Sequence, residues 1–216
     1  MGPINKTRLA AVQKRLVEDL KKGVRKRDFS PFDIYQFISD DKKEAFLEEQ
    51  DLEAKTVAQD VVGLLLSAHK EVLIFSGNFT WSDLKQGDMK ILDVLRDLAK
   101  KGVKIKIISG IHLPAVDNIE KVLALNRGLD NRHQIEVRHA FQPLRAIIVD
   151  DKIARIKEIK NTSDYDAPKS KKTFIFYSIY DPVWIKWLQK VFWSYFNSGD
   201  YAEARMKELK KIQKVR

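Results

Sequence analysis

The chain of 216 residues contains no cysteine. A disulfide scaffold, thiolate catalysis and zinc sites that need sulfur are therefore excluded, and the composition suits a reducing cytoplasm. No apolar stretch reaches the roughly 20 residues that span a bilayer, and the opening MGPINKTRLAAVQKRL lacks the apolar region of a signal peptide. We therefore expect a cytoplasmic location and no membrane partner.

The sequence also lacks the common signatures of cofactor and metal sites. It has no glycine-rich phosphate loop, no GxSxG elbow and no dinucleotide fingerprint. The histidines show no ligand spacing; they are His69, His112, His133 and His139. We expect no cofactor and no metal.

Positive charge is what the chain has in excess, and it lies at the two ends. The net charge is +10, of which residues 1–28 hold +6 and residues 200–216 hold +3. By contrast, residues 33–60 contain nine acidic side chains and three lysines. A basic helix of this kind indicates a nucleic-acid contact, a pairing with an acidic segment of a neighbouring subunit, or a solvated surface. The many Lys, Glu and Arg residues are typical of a thermophile.

The first helix is predicted by apolar residues at spacings of three and four, namely Leu9, Val12, Leu16, Leu20 and Val24. This narrow seam is typical of a coiled coil and predicts a homodimer. A second helix is predicted by Ala54, Val57, Ala58, Val61, Leu65 and Ala68. It leads directly into EVLIFSG, an apolar run that reads as a buried strand.

The segment MKILDVLRDLAKKGVKIKIISG predicts a helix capped by Gly102 and then a strand, so the first two strands should be parallel. A further helix is predicted from Pro114 to Gly128. Four strand candidates without helices between them follow, QIEVRHA, RAIIVD, KIARIKEI and TFIFYSI, so the sheet should be mixed. Residues 160–172 have the composition of a loop, and helices are predicted from Asp181 and from Tyr201.

The segments EVLIFSG, GVKIKIISG and IEVRHAFQPLRAIIVDDKIARI resemble the phospholipase D superfamily, in which one strand carries the motif HxKxxxxD. The resemblance places Pro143 at the nucleophilic histidine, Arg145 at the lysine and Asp150 at the aspartate. The glycine-serine pair that usually follows falls on Lys157 and Glu158. Proline offers no nucleophile, whereas arginine still binds anions, so the resemblance implies binding without hydrolysis.

Within that superfamily the chain resembles the effector domain of archaeal TrmB-like transcriptional regulators. The segments that carry this likeness are the seam-bearing first helix, SPFDIYQFISDDKKEAFL and DPVWIKWLQKVFWSYF. The helix-turn-helix of those regulators is missing from this sequence. The resemblance implies an α/β fold, a phospholipase D-like mixed sheet flanked by helices and preceded by a long N-terminal helix. The expected division is a basic helix over residues 1–28, the phospholipase D-like domain over 29–199 and a basic helical tail over 200–216.

Candidate ligand-binding residues follow the strands and the degenerate motif, because open α/β sheets bind ligands beyond the carboxyl ends of their strands. They are Asn78, Trp81, Ser109, His112, Arg145 and Asp150. The expected ligand is a small polar or anionic effector, such as a sugar. Candidate contacts to DNA, RNA or an acidic partner are Lys14, Lys21, Lys22, Arg25, Lys26 and Arg27.

Three functions are thus open. The first is a non-catalytic, dimeric regulator that senses a ligand or presents a surface to a partner. The second is a divergent phosphodiesterase or nuclease that uses His139, four residues before Pro143, in place of the missing nucleophile. The third is an interaction protein that binds nucleic acid through its basic first helix. The aromatic face of the last long helix, which includes Trp184 and Trp187, is interpreted as core.

Overall fold

A computed structural model of the chain describes residues 6–51, 60–130, 134–160 and 171–214. The helices are α1 (Lys6–Lys22), α2 (Phe32–Tyr35), α3 (Val61–Leu66), α4 (Ile91–Lys100), α5 (Val116–Ala124), α6 (Pro182–Ser198) and α7 (Ala202–Lys214). The strands are β1 (Lys43–Asp51), β2 (Glu71–Phe75), β3 (Lys85–Gln86), β4 (Met89–Lys90), β5 (Lys104–Ser109), β6 (Glu136–His139), β7 (Ala146–Val149), β8 (Ile153–Lys160), β9 (Lys171–Ile179) and β10 (Asp200–Tyr201).

The chain divides into two compact units. The motif unit comprises residues 1–54 and 141–191, and the crossover unit comprises residues 55–140 and 192–216. The motif unit contains β1, β7, β8 and β9, the crossover unit contains β2–β6 and β10, and the architecture is mixed α/β. The predicted fold class is confirmed, and α1 is the predicted N-terminal helix.

In the motif unit the strands run in the order β1-β9-β8-β7, and each neighbouring pair is antiparallel. Hydrophobic residues at alternate positions of β7 and β8, such as Ile148 and Ile156, are fully buried on one face. The opposite face carries Arg145, Lys157 and Phe176 in register. One face of these strands is therefore part of the core, and the opposite face is a surface that could bind a charged ligand.

In the crossover unit β2, β5 and β6 are parallel, and β10 pairs antiparallel with β6. The predicted parallel crossover from β2 through α4 to β5 is therefore confirmed. Helix α4 buries Val94, Leu95 and Leu98, and it is followed by Gly102, whose φ of 87° suits glycine. The helix predicted after Pro114 begins as a 3-10 turn at Leu113–Ala115 and continues as α5.

Several elements differ from the sequence-based prediction. Sequence patterns predict no strand ahead of β2, but Lys43–Asp51 pairs with β9 over its whole length. Pairing with β9 and stacking of Phe46 on Phe176 supply a stabilisation that the local sequence does not show. Of the second predicted helix the structure shows Val61–Leu66; residues 54, 57 and 58 lie outside the described residues. Residues 160, 171 and 172 of the predicted loop belong to β8 and β9, and residues 161–170 are not described.

The apolar face of α6 is buried as predicted. Trp184, Leu188 and Phe192 are each at most 2% exposed. In the motif unit Trp184 stacks on Phe37, and in the crossover unit Phe192 packs against Phe75. These aromatic residues therefore form core rather than a binding platform. No helix within the described ranges is long and apolar enough to cross a membrane.

Candidate anion-binding site

Arg145 lies directly before β7, opposite Lys157 of β8. The backbone N–H of Lys157 donates to the carbonyl oxygen of Arg145 at 2.8 Å. Directly opposed residues of antiparallel strands project from the same face of a sheet. Arg145 and Lys157, which the resemblance aligns with the motif lysine and with the glycine-serine pair, are thus neighbours on one surface.

A third cation reaches this surface from the segment that follows α1. The Lys26 Nζ donates to the carbonyl oxygen of Leu144 at 2.5 Å, and its charge is repelled by that of Arg145. In the same segment, Gly23 packs closely against the ring of Pro143. We call Lys26, Arg145 and Lys157 the cation site.

The surroundings of the cation site disfavour the charged forms of all three side chains. Burial, and then the neighbouring Arg145, hold the pKa of Lys26 well below its ordinary value. Burial lowers the pKa of Arg145. For Lys157, burial lowers the pKa to about 8; Arg145 and Lys172 contribute in the same direction and Glu48 opposes them. An anion bound among these groups would offset part of that penalty.

No ion pair with a described residue neutralises the three cations. The Nζ of Lys157 lies 3.6 Å from the ring centroid of Phe174 and 5.4 Å from that of Phe176. Both rings are 5% exposed, so the ammonium group rests on an apolar surface. We call Phe174 and Phe176 the aromatic pair.

Asp150, which the resemblance places at the motif aspartate, lies at the other end of β7 from Arg145. Its φ is 51°, in the turn to β8, and it is 3% exposed. Its carbonyl oxygen accepts a hydrogen bond from the Gln189 side chain at 2.8 Å. About 16 Å of strand separates it from Arg145, so these two predicted ligand-binding residues are not brought together along β7.

The other four predicted ligand-binding residues belong to the crossover unit, where they follow β2 and β5. The indole N–H of Trp81 donates to the Ser76 hydroxyl at 2.9 Å, and the Asn78 side chain accepts from Thr80 at 3.1 Å. Ser109 is fully buried and donates to the carbonyl oxygen of Gly77. His112 is exposed at the start of the turn before α5. Trp81 and Ser109 thus hold the loops at the ends of their strands.

His139 lies on β6, where its ring orders the loop after β5. Its Nδ1 accepts a hydrogen bond from the backbone N–H of Ile111 at 2.8 Å. Burial lowers the pKa of His139, and the charges of Arg205 and His112 act in the same direction. The ring is therefore a neutral, backbone-bound histidine at pH 7. His133 lies outside the described residues.

The six basic residues proposed to contact nucleic acid do not share one environment. Lys22 pairs with Asp19 at 3.6 Å, and Arg25 pairs with Asp28 at 3.1 Å. Lys26 belongs to the cation site. The exposed members that form no ion pair with a described residue are Lys14, Lys21 and Arg27. In the described part of the chain no cluster of three His, Cys, Asp or Glu side chains could hold a metal ion.

Substitution of Gly23 tests whether this residue packs against Pro143. A Cβ at Gly23 would lie 2.9 Å from the Cγ of Pro143 and 3.0 Å from its Cβ. We expect Gly23→Ala to lower the free energy of unfolding by about 1–2 kcal/mol, measured by urea denaturation, because the ring must move.

The control for this prediction is a double-mutant cycle with Pro143→Gly, which removes the opposing ring. If the contact is real, the double variant will be less destabilised than the sum of the single changes. Additive effects would show that the two residues do not interact.

Comparison with known proteins identifies solved structures with a similar fold. No protein-family model matches the chain, and no curated protein matches it. Among solved structures, a phospholipase D family member, Nuc from Salmonella typhimurium, aligns with 73% of this chain and 98% of its own, at 15% identity and a TM-score of 0.50. TrmBL2, an archaeal chromatin protein with a novel mode of DNA binding, aligns with 74% of this chain and 55% of its own, at 15% identity and a TM-score of 0.49. The likeness to Nuc shows that the chain has a phospholipase D-like fold.

Proposed function

We propose that this chain is a non-catalytic phospholipase D-like domain that binds an anionic ligand at the cation site and acts in regulation. The observation that carries the proposal is the cation site itself, where three half-buried cations are unneutralised by any described carboxylate within ion-pair distance. A domain that served only as scaffold would gain nothing from this arrangement, since each buried charge costs free energy.

The absence of a nucleophile separates this function from hydrolysis. Phospholipase D-type catalysis needs a histidine that attacks phosphorus, and the motif position holds Pro143. Arg145 retains the capacity to donate two parallel hydrogen bonds to a phosphate or carboxylate. The site would therefore bind the anion without breaking a bond in it.

Phosphate binding tests the proposal. Inorganic phosphate titrated into the protein and followed by calorimetry should bind, and Arg145→Gln should weaken the affinity at least about ten-fold, because a charge-assisted contact contributes about 1.5–3 kcal/mol. Lys26→Met should weaken it in the same direction. The matched control is Arg96→Gln, at an exposed arginine of α4. Equal affinity in all variants, or no binding by the unaltered protein, would overturn the proposal.

Regulation through a homodimer remains part of the proposal. The apolar seam of α1 is only partly buried within the single chain. Leu16 and Leu20 are at most 1% exposed, whereas Leu9 and Val12 are half-buried. The first turns of α1 are thus the part of the seam that is open to a second copy. Val24 lies beyond the end of α1 and is 53% exposed.

Nucleic-acid binding through α1 is the second candidate function. Lys14, Lys21 and Arg27 are exposed and form no ion pair with described residues, which favours contact with phosphates over intramolecular pairing. Because Lys26 is turned towards Leu144, at most five of the six predicted basic residues remain for such a surface. A sequence-independent, salt-sensitive affinity for duplex DNA or RNA would support this candidate.

A further inference from the structure

We propose that Lys157 forms an imine with the carbonyl group of a ligand whose phosphate or carboxylate is held by Arg145 and Lys26. This inference rests on the proposed function, because the anion contact would deliver the carbonyl group to the amine. It assigns the site a ligand class, the aldehydes and ketones that carry an anionic group.

The position of the Lys157 amine is the first support. The side chain is half-buried, its Nζ rests on the aromatic pair, and it donates no hydrogen bond to a described residue. A lysine placed only for structure would direct its ammonium group to an acceptor or to open water. An amine on an apolar surface, with an anion-binding guanidinium on the opposed residue, is arranged for a ligand with two functional groups.

The charges around the amine are the second support. Arg145 and Lys172 repel the protonated form of Lys157, burial disfavours it further, and Glu48 is the acid that opposes them. The resulting pKa of about 8 leaves a substantial neutral fraction at pH 7.5. Lysine nucleophiles are activated in this way, by desolvation or by a neighbouring cation.

The reaction is a condensation that needs no oxidant or reductant. The lone pair of the neutral Nζ attacks the carbonyl carbon and forms a carbinolamine. The carbonyl oxygen then leaves as water, taking both amine protons, and a carbon–nitrogen double bond remains. Hydrolysis reverses each step, so the ligand is held covalently but releasably. The aromatic pair would shield one side of the imine from water.

Pyridoxal 5′-phosphate is a suitable probe because it combines an aldehyde with a phosphate. The full chain is incubated with the probe at pH 7.5, reduced with borohydride, digested and mapped by mass spectrometry. We expect the adduct at Lys157 in at least about ten-fold excess over any exposed lysine, and at least about ten-fold less with pyridoxal, which lacks the phosphate. Arg145→Gln should cause a similar loss.

Two lysine variants complete the test. Lys157→Arg should abolish the principal adduct, whereas Lys186→Arg, at an exposed lysine of α6, should leave it unchanged. An adduct spread evenly over the lysines would overturn the inference.

Pyridoxine 5′-phosphate, which has an alcohol in place of the aldehyde, separates this inference from the proposed function. If it binds in an Arg145-dependent manner while no adduct forms at Lys157, the imine is refuted and the anion site stands. If it does not bind at all and no adduct forms, both proposals fail.

Discussion

Bis-p-nitrophenyl phosphate is expected to be hydrolysed no faster in the presence of this chain than in buffer alone. The same result is expected for single- and double-stranded DNA. Loss of the nucleophile of a hydrolase costs on the order of 10⁶-fold in kcat, and the resemblance to the phospholipase D superfamily places Pro143 at the nucleophile's position. Arg145 can stabilise charge on a phosphate, but it cannot replace the covalent step.

His139 is the residue that could contradict this expectation. Its Nδ1 is occupied by the backbone N–H of Ile111, and burial keeps the ring neutral, so its role in the structure is to hold a loop. The assay therefore includes His139→Ala and, as a positive control, a phospholipase D-type nuclease with an intact motif. Turnover above background that disappears in His139→Ala would establish the divergent enzyme instead.

The second large effect is expected from Lys157→Met, which should raise the free energy of unfolding at pH 7 by about 1–2 kcal/mol. Methionine keeps much of the apolar contact with the aromatic pair and removes a charge that burial and Arg145 disfavour. The loss of the cation–π contact reduces the gain, so the net effect is smaller than the full pKa shift implies. Urea denaturation of the two proteins measures the difference.

The pH dependence of this difference follows from the direction of the shift. In the folded chain the pKa of Lys157 is lowered to about 8 from the ordinary value of 10.5. Between these two values the unfolded state binds more protons, so this lysine makes stability rise with pH there. The advantage of Lys157→Met should thus be constant below pH 7 and shrink as the pH passes from 8 towards 10. A difference that does not change with pH would show that the penalty on Lys157 is not electrostatic. Lys186→Met is the control at an exposed position.

The Lys157→Met variant also separates the contribution of Lys157 to phosphate binding from its effect on the free energy of unfolding. If the cation site exists to hold an anion, Lys157→Met should be more stable and should bind phosphate less well. Such an exchange of stability for function is common at binding sites, where groups are kept in unfavourable surroundings. If Lys157→Met is more stable and binds phosphate with unchanged affinity, the anion binds at a place that does not include Lys157.

The regular part of the fold was predictable from local patterns. The parallel pair β2 and β5 with α4 between them follows from an apolar run, a helical face and a capping glycine, all of which are local in sequence. The mixed sheet follows from the lack of room for helices after β6. The strand β1 was not predictable in this way, because its sequence KEAFLEEQD shows no alternation and becomes a strand only through pairing with β9, more than a hundred residues away.

The cation site, too, was predictable from the sequence only in part. The sequence by itself determined that residues 1–28 are basic and, through its resemblance to the phospholipase D superfamily, predicted Pro143 at the nucleophile's position and Arg145 as an anion-binding group. The same resemblance predicted Lys157 at a motif position, but without a partner. Only the tertiary structure decided that Lys157 lies opposite Arg145, that Gly23 packs on Pro143 and that Lys26 donates to Leu144. The physical reason is that strand register and close packing join segments distant in sequence, and burial then sets the electrostatics; which distant segment a strand or loop will pair with is not encoded in the local pattern of either one.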